Sequence, residues 1–438
     1  MTKGSKKRLI ERVKSLMILL LSCSAVLLVL RTQSVMLGRD SRGERYAAGE
    51  SGPIASEDAG GAVRPLRMAA AIQRGSEVVR YGVQYDQEST DTLFQQSYSL
   101  LVEALSSAGQ PQSVDEAAWQ AALASAPGLY FDWQGELPLT VLNGWLSVDN
   151  EALSGSVRRM ILTAEEGQVK LYYWEESAGQ GYVCTCGVIT PERLEEAVGT
   201  LQENGAVFAF EEEYGALDPN TMVLEQPPEP AVYSGTNPMS GEESRRSVQE
   251  LLGFPENSVS YSAAGELVIR SRNDTLHMGE DGGVAYEAAA EGSDRYRLTG
   301  GGVYEAVEGC WSLAQQTLGQ SCGEAFLYLM SVEETGDGGW QVEIGYFLDG
   351  VPVRIGEDGW AAWFLVEQGQ IVEFQLRFRS YADSSSASVV LPERQAAAAM
   401  EAMGHTGEEL LLVYWDSGSD EELVSASWAA AGELRGER

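Results

Sequence analysis

The N-terminal apolar segment constrains this chain most, because it separates a short basic start from everything that follows. Sixteen uncharged residues (15–30) lie between Lys14 and Arg31. A helix of that length spans about 24 Å, less than the hydrocarbon core of roughly 30 Å, and snorkelling of the two flanking side chains can close the gap. We therefore expect a cytoplasmic basic segment at 1–14, a single transmembrane anchor at 15–31 and an extracytoplasmic remainder in the cell envelope.

A cleaved signal peptide is the alternative, since it has a similar charged start and apolar stretch. The segment ends in Leu-Val-Leu-Arg at 28–31, with no small-x-small cleavage site after it. Leu-Leu-Ser before Cys23 weakly suggests a lipoprotein signal, but the apolar run continues beyond that cysteine. We favour an uncleaved anchor. Its small residues Ser22, Cys23, Ser24 and Ala25 form a candidate contact surface for a partner helix, although small residues are common in membrane helices generally.

The charge of the chain is divided unevenly between its two parts. The first 45 residues hold ten basic and three acidic side chains, whereas the remainder holds 20 basic and 62 acidic ones, a formal charge of −42. A body this acidic repels nucleic acid, so we expect no nucleic-acid partner. Its hydrophobic share of 44% is nevertheless typical of a folded chain.

A length of 438 residues suggests two or three domains outside the membrane. Glycine, serine and charged residues predict a flexible linker at 32–63, and clustered prolines predict a second linker at 216–238. Between them, 64–215 reads as a mixed α/β domain. Two related helix-plus-antiparallel-sheet domains follow, a small one at 239–293 and a C-terminal one at 294–438, which makes the fold class α+β.

Local patterns place individual elements within these segments. Apolar spacing predicts a helix at 91–108, and a Ser-x-x-Glu capping box predicts another helix that begins at Ser113. Thr190 and Pro191 fit the N-cap and first position of a helix that we expect to end at Gly205. In the C-terminal segment, alternating apolar residues predict an antiparallel meander.

The sequence contains little that indicates catalysis. There are two histidines, His277 and His405, and five cysteines, and because a zinc site needs three or four such ligands brought together, we do not expect a metalloenzyme. Residues 319–323 match G-x-S-x-G, but the predicted order there is helix then strand, the reverse of a nucleophile elbow. We assign no catalytic, cofactor-binding or metal-binding residue. Of the four outer cysteines, Cys310 and Cys322 could pair, and sequence alone does not choose among three pairings.

The layout resembles the YycH and YycI regulators of Gram-positive bacteria. The first feature that carries the resemblance is the short basic N-terminus with one anchor helix. The others lie further along the chain: Arg64-Pro65, Leu100–Leu105, Gly128–Phe131, Leu137–Leu139, Trp145-Leu146, Tyr172-Tyr173, Gly345–Val353, and Tyr414 with Ala426-Ser-Trp428. The last of these departs from the family's closing pattern, because Ser425 stands where proline is expected. The resemblance extends over nearly the whole chain and is diffuse.

The resemblance implies a non-enzymatic membrane protein. It implies a sensor histidine kinase of the WalK (YycG) type as partner, regulated through helix–helix and domain contacts in cell-wall homeostasis. A second YycH- or YycI-type protein is a further candidate partner. The family supplies no catalytic residue and no cofactor to carry over.

Two other classes of protein remain open on the residues alone. One is a membrane-tethered module that binds an envelope ligand or peptide. The other is an envelope hydrolase with paired carboxylates, which leave no linear signature.

Overall fold

Antiparallel sheets dominate the computed structural model, which describes residues 63–435 except 212–213, 215–216, 264, 273, 290–292 and 337. The predicted basic segment and anchor, with Ser22, Cys23, Ser24 and Ala25, lie outside the described residues. Among the residues that are described, no helix is both long and apolar enough to cross a membrane.

The first sheet has seven strands in the order β2-β1-β4-β5-β6-β7-β3. They are β1 (Arg67–Arg74), β2 (Glu77–Gln84), β3 (Gln112–Val114), β4 (Gly128–Pro138), β5 (Ser156–Glu165), β6 (Gln168–Glu175) and β7 (Gln180–Cys186). Every neighbouring pair is antiparallel. Because short turns join β5, β6 and β7, consecutive strands must run in opposite directions. The α/β expectation for 64–215 is therefore corrected to α+β.

Four helices accompany this sheet: α1 (Gln87–Ser107), α2 (Glu116–Ala124), α3 (Leu139–Trp145) and α4 (Pro191–Gly199). The prediction that α4 has Thr190 as N-cap and Pro191 as its first residue is confirmed. The helix ends at Gly199, however, and not at the predicted Gly205. The N-cap of α2 is Asp115, which accepts a hydrogen bond from the backbone N–H of Ala118. The predicted cap Ser113 is instead a ladder residue of β3.

A short pair, β8 (Val207–Phe208) and β9 (Met222–Val223), follows the first sheet. Phe208 and Met222 pack with Trp119 in an apolar cluster on one face of that sheet. The single turn of 3-10 helix after β8, Ala209–Glu211, carries Glu211, which pairs with Arg80.

The second large sheet has eleven strands, and its path runs β11-β12-β13-β14-β19-β18-β16-β17-β21-β23 with β15 beside β16. These strands are β11 (Val259–Ala263), β12 (Glu266–Ser271), β13 (Asp274–Gly279), β14 (Gly283–Ala288), β15 (Phe326–Glu334), β16 (Trp340–Leu348), β17 (Val351–Ile355), β18 (Ala362–Glu367), β19 (Gln370–Arg377), β21 (Leu410–Asp416) and β23 (Ala426–Ala430). The predicted meander is confirmed, with one parallel pair, β17 and β21. Since β14 pairs with β19, segments 239–293 and 294–438 share this sheet.

A third, three-stranded sheet orders β20 (Ser380–Ala387), β10 (Ala231–Thr236) and β22 (Glu421–Val424). The helices of this half are α5 (Glu242–Leu251), α6 (Val303–Thr317), α7 (Glu393–Met403) and α8 (Ala431–Arg435).

One buried apolar cluster reaches from the first sheet into the second. Trp311 of α6 is fully buried, and its ring centroid lies 5.7 Å from that of Trp145 in α3. Cys184, Cys186, Cys310 and Cys322 are all buried and free. Cys310 and Cys322, whose pairing the sequence leaves open, are therefore unpaired in this structure, and the thiol of Cys322 donates to the carbonyl of Ala325 at 3.0 Å.

Candidate functional site

The residues that sequence analysis weighed for chemistry lie apart from one another. Ser321 follows a turn of 3-10 helix and precedes β15, and its hydroxyl donates to the carbonyl of Leu318 at 3.2 Å. The predicted order of helix then strand is confirmed, and it is not a nucleophile elbow. His277 lies 3.2 Å from a carboxylate oxygen of Glu266 on β12, and His405 contacts Glu408 at the same distance. Among the described residues, no group of His, Cys, Asp and Glu has the arrangement of a metal site.

The structure instead brings together a buried charge cluster, defined as Arg67, Asp132, Arg158, Arg159 and Glu409. The first four belong to the first sheet, whereas Glu409 directly precedes β21 of the second sheet. Each of the five side chains is less than one-tenth exposed. The cluster therefore joins two parts of the chain that are 342 residues apart.

Strand register explains how the cluster forms. Arg67, Asp132 and Arg159 occupy one row across β1, β4 and β5, because Arg67 pairs with Asp132 and Asp132 with Arg159. Side chains directly opposite each other in antiparallel strands lie on the same face. Two arginines thus flank a single carboxylate, and Arg158 adds a third cation 3.2 Å from Asp132.

Glu409 completes the cluster from the second sheet. Its carboxylate accepts hydrogen bonds from Arg158 at 2.6 Å and from Arg159 at 3.0 Å, and Arg67 donates to its other oxygen. The three arginines carry one more charge than the two buried carboxylates. The partly exposed Glu176 supplies the third negative charge by pairing with Arg159 at 2.7 Å. Charges this deeply buried are retained only when paired in this way.

Burial alone would raise the pKa of Glu409, but Arg158, Arg159 and Arg67 outweigh it and hold that pKa well below its ordinary value. The pKa of Asp132 is lowered for the same reason, against its own burial. Both carboxylates therefore stay ionised at any physiological pH. A permanently charged, fully paired cluster suits a fixed connection between sheets and offers no proton for acid–base chemistry.

A second buried carboxylate, Glu393 at the start of α7, links the same two regions. It accepts a hydrogen bond from the side-chain amide of Gln84 on β2 at 2.7 Å and another from the backbone N–H of Leu224. Burial raises the pKa of Glu393 to about 7, opposed by the Leu224 hydrogen bond, by Arg67 and by Gln84. This group can therefore change charge near neutral pH.

Tyr85 connects the buried charge cluster to the strand β21. Arg67 donates to its hydroxyl at 3.2 Å and lies over its ring, and the backbone N–H of Leu412 donates to the same oxygen at 3.4 Å.

A cavity of about 10 Å³ beside Arg80 and Phe208 is at the lower limit of room for one water molecule. It is too small for an organic ligand.

Sequence reasoning missed the buried charge cluster. One local signal was available, because Arg158 and Arg159 are adjacent basic residues immediately before the apolar run Met160-Ile-Leu162, in a region where basic residues are scarce. Adjacent charges entering a buried strand require buried partners. No local pattern indicates Glu409 as that partner.

The sheets and helices described above define the class of the protein, which is mixed α+β with large antiparallel sheets. Its fold is YycH-like. Among solved structures, YycH from Bacillus subtilis is similar to this chain with a TM-score of 0.55 and 12% sequence identity, covering 86% of this chain and 95% of that one. No family model matches the sequence. No curated protein matches it either. The resemblance noted from sequence is confirmed at the level of the fold.

Proposed function

We propose that this chain is a regulatory protein of a sensor histidine kinase of the WalK type, within a two-component system for cell-wall homeostasis. The observation that carries the proposal is the YycH-like fold, which extends over 86% of the chain. It agrees with the resemblance found independently in the sequence. YycH-like proteins are not known as enzymes, and a regulatory role requires no catalytic residue.

The regulator is anchored in the cell membrane by 15–31, with its basic N-terminus in the cytoplasm and its acidic domains outside. This orientation is supported by the six basic residues against one acidic residue in the 14 positions before the anchor. Its contact with the kinase runs through the small residues Ser22, Cys23, Ser24 and Ala25, which allow a second helix to approach closely. Regulation then requires that the anchor bind one signalling state of the kinase more tightly than the other.

The test replaces small residues of the anchor with larger ones. The double variant Ser22→Leu plus Ala25→Leu, in the full-length chain, is expected to lower the amount of co-purified kinase and the shift in kinase-dependent reporter output, each by roughly 5-fold or more. Enlarging residues near the two ends of the predicted helix, by Leu16→Phe plus Leu30→Phe, is the matched control, because both positions lie more than one turn from the small-residue patch, and it should change neither. If the Ser22/Ala25 variant binds the kinase and shifts the reporter as wild type does, helix contact at this patch is wrong.

A further inference from the structure

The strand β11 is an unprotected sheet edge. It ends the order of the eleven-stranded sheet and pairs with β12, while no strand of the described residues pairs with its other side. Val259 is 71% exposed and Tyr261 is 45% exposed, and Ser260 and Ser262 on the opposite face are exposed as well. A free edge presents backbone N–H and C=O groups that can pair with another strand.

Folded proteins normally protect such an edge with a charge, a proline or a bulge. The sequence of β11, Val-Ser-Tyr-Ser-Ala, contains no charge and no proline. Its register with β12 is unbroken from Val259 to position 263, so no bulge twists it away. Although the chain has 65 acidic residues, none of the five positions of β11 is charged. No side chain of β11 therefore repels a strand that pairs with this edge.

The strand beside this edge has opposite charges at its two ends. On β12, Arg270 lies opposite Val259, and Glu266 lies opposite position 263, four residues further along β11. Both side chains are exposed, and the Arg270 guanidinium lies 5.9 Å from the ring centroid of Tyr261, leaning toward the free edge. The edge is therefore positive at one end and negative at the other.

The opposite charges of Arg270 and Glu266 indicate which strand can pair with the free edge of β11. We propose that β11 pairs in antiparallel fashion with β11 of a second copy of this chain, about a two-fold axis at Tyr261. The two-fold places Val259 opposite position 263 of the second copy, so Arg270 shares a cross-strand row with Glu266 of that copy, at three strand spacings or about 14 Å between backbones. Symmetry repeats the row at the other end, and opposite charges align twice.

The same polarity disfavours other occupants. A uniformly acidic strand from another protein would meet Glu266 with like charge, and a parallel copy would align Arg270 with Arg270. The antiparallel copy also places Tyr261 against its own equivalent, which buries both exposed rings. Because a five-residue edge buries less area than a standard interface, we expect a weak, concentration-dependent dimer.

A charge-swap experiment tests the second copy specifically. Arg270→Glu gives a chain with two acidic ends, and Glu266→Arg gives a chain with two basic ends. At low ionic strength each variant alone should associate roughly 3-fold more weakly than wild type, because like charges then face each other in both rows across about 14 Å. An equal mixture of the two should recover wild-type association, because every row then joins opposite charges.

The measurement uses full-length chain in detergent, with two affinity tags on separate copies, and combines co-purification of the tags with sedimentation at high micromolar concentration. Val259→Lys should also abolish pairing, whereas its matched control Leu423→Lys, at a 70% exposed position of β22, should not. Unchanged melting temperatures show that the variants fold. The proposal is overturned if wild type sediments as a monomer throughout, or if the charge variants associate as wild type does. Neither result depends on whether a kinase is bound.

Discussion

Glu409 shows how much of this fold depends on single side chains. It is the only carboxylate that the second sheet contributes to the buried charge cluster, and three arginines of the first sheet donate to it. Replacing a whole buried ion cluster with apolar residues is often harmless, but removing one partner leaves uncompensated charge in a low-dielectric interior. The depressed pKa of Glu409 means that its contribution to stability is complete above its ordinary pKa and is lost only in strong acid.

Glu409→Gln is therefore expected to destabilise the protein by about 3–5 kcal/mol at pH 7, because three buried guanidinium groups lose an anionic partner. Urea unfolding followed by tryptophan fluorescence measures this change. The control Glu421→Gln, at an exposed position on β22, should stay within about 0.5 kcal/mol of wild type. A change of under about 1 kcal/mol for Glu409→Gln would show that the cluster is not the connection we describe.

At the scale of the element, helix α7 is held against the first sheet by a carboxylate that titrates near neutral pH. The pKa of Glu393 in the folded state is about 7, above its ordinary value of 4.5, and burial is the main cause. An acid with a raised pKa stabilises the fold fully below its ordinary pKa, and this stability is lost as pH rises through the folded value. The attachment of α7 should therefore be firmer at mildly acidic pH.

Wild type is expected to lose roughly 2 kcal/mol from this site between pH 5.5 and 7.5. Glu393→Gln cannot ionise, so this variant should lose that part of the pH dependence. Thermal unfolding at the two pH values provides the measurement, with Glu401→Gln on the exposed side of the same helix as control. If Glu393→Gln keeps the full wild-type pH dependence, another group is responsible.

For the whole molecule, the two large sheets share one interior. The main apolar cluster includes residues of both sheets, and the buried charge cluster crosses between them at Glu409. Elements that share a core unfold together, because opening one exposes the apolar surface and charges of the other. The domain boundaries predicted from linkers at 32–63 and 216–238 stay predictions that an unfolding experiment can examine.

We expect residues 63–435 to unfold in one cooperative thermal transition, despite their number. Calorimetry provides the measurement, and the calorimetric enthalpy should equal the van't Hoff enthalpy. Circular dichroism and tryptophan fluorescence should give the same midpoint. Two resolved transitions would instead support separate folding units at the predicted boundaries.

Much of the fold could be predicted from the sequence, because helices and strands depend on neighbouring residues. The cap at Thr190 and Pro191 and the antiparallel meander that includes β16 were predicted from local patterns, and both are confirmed. The prediction failed where a long-range pairing decided the outcome. Ser113 matches a capping box, yet it lies in β3, where it pairs with Tyr182 of β7. The N-cap of the following helix is Asp115.

By itself, the sequence determined the apolar N-terminal segment, the acidic remainder, several individual helices and strands, and the resemblance to YycH-type proteins. Only the tertiary structure decided that Arg67 and Glu409 meet across 342 residues, that β14 pairs with β19, and that β11 is a free edge. The physical reason is that side-chain periodicity records which face of an element is buried, whereas the partner of that face depends on register and packing over the whole chain.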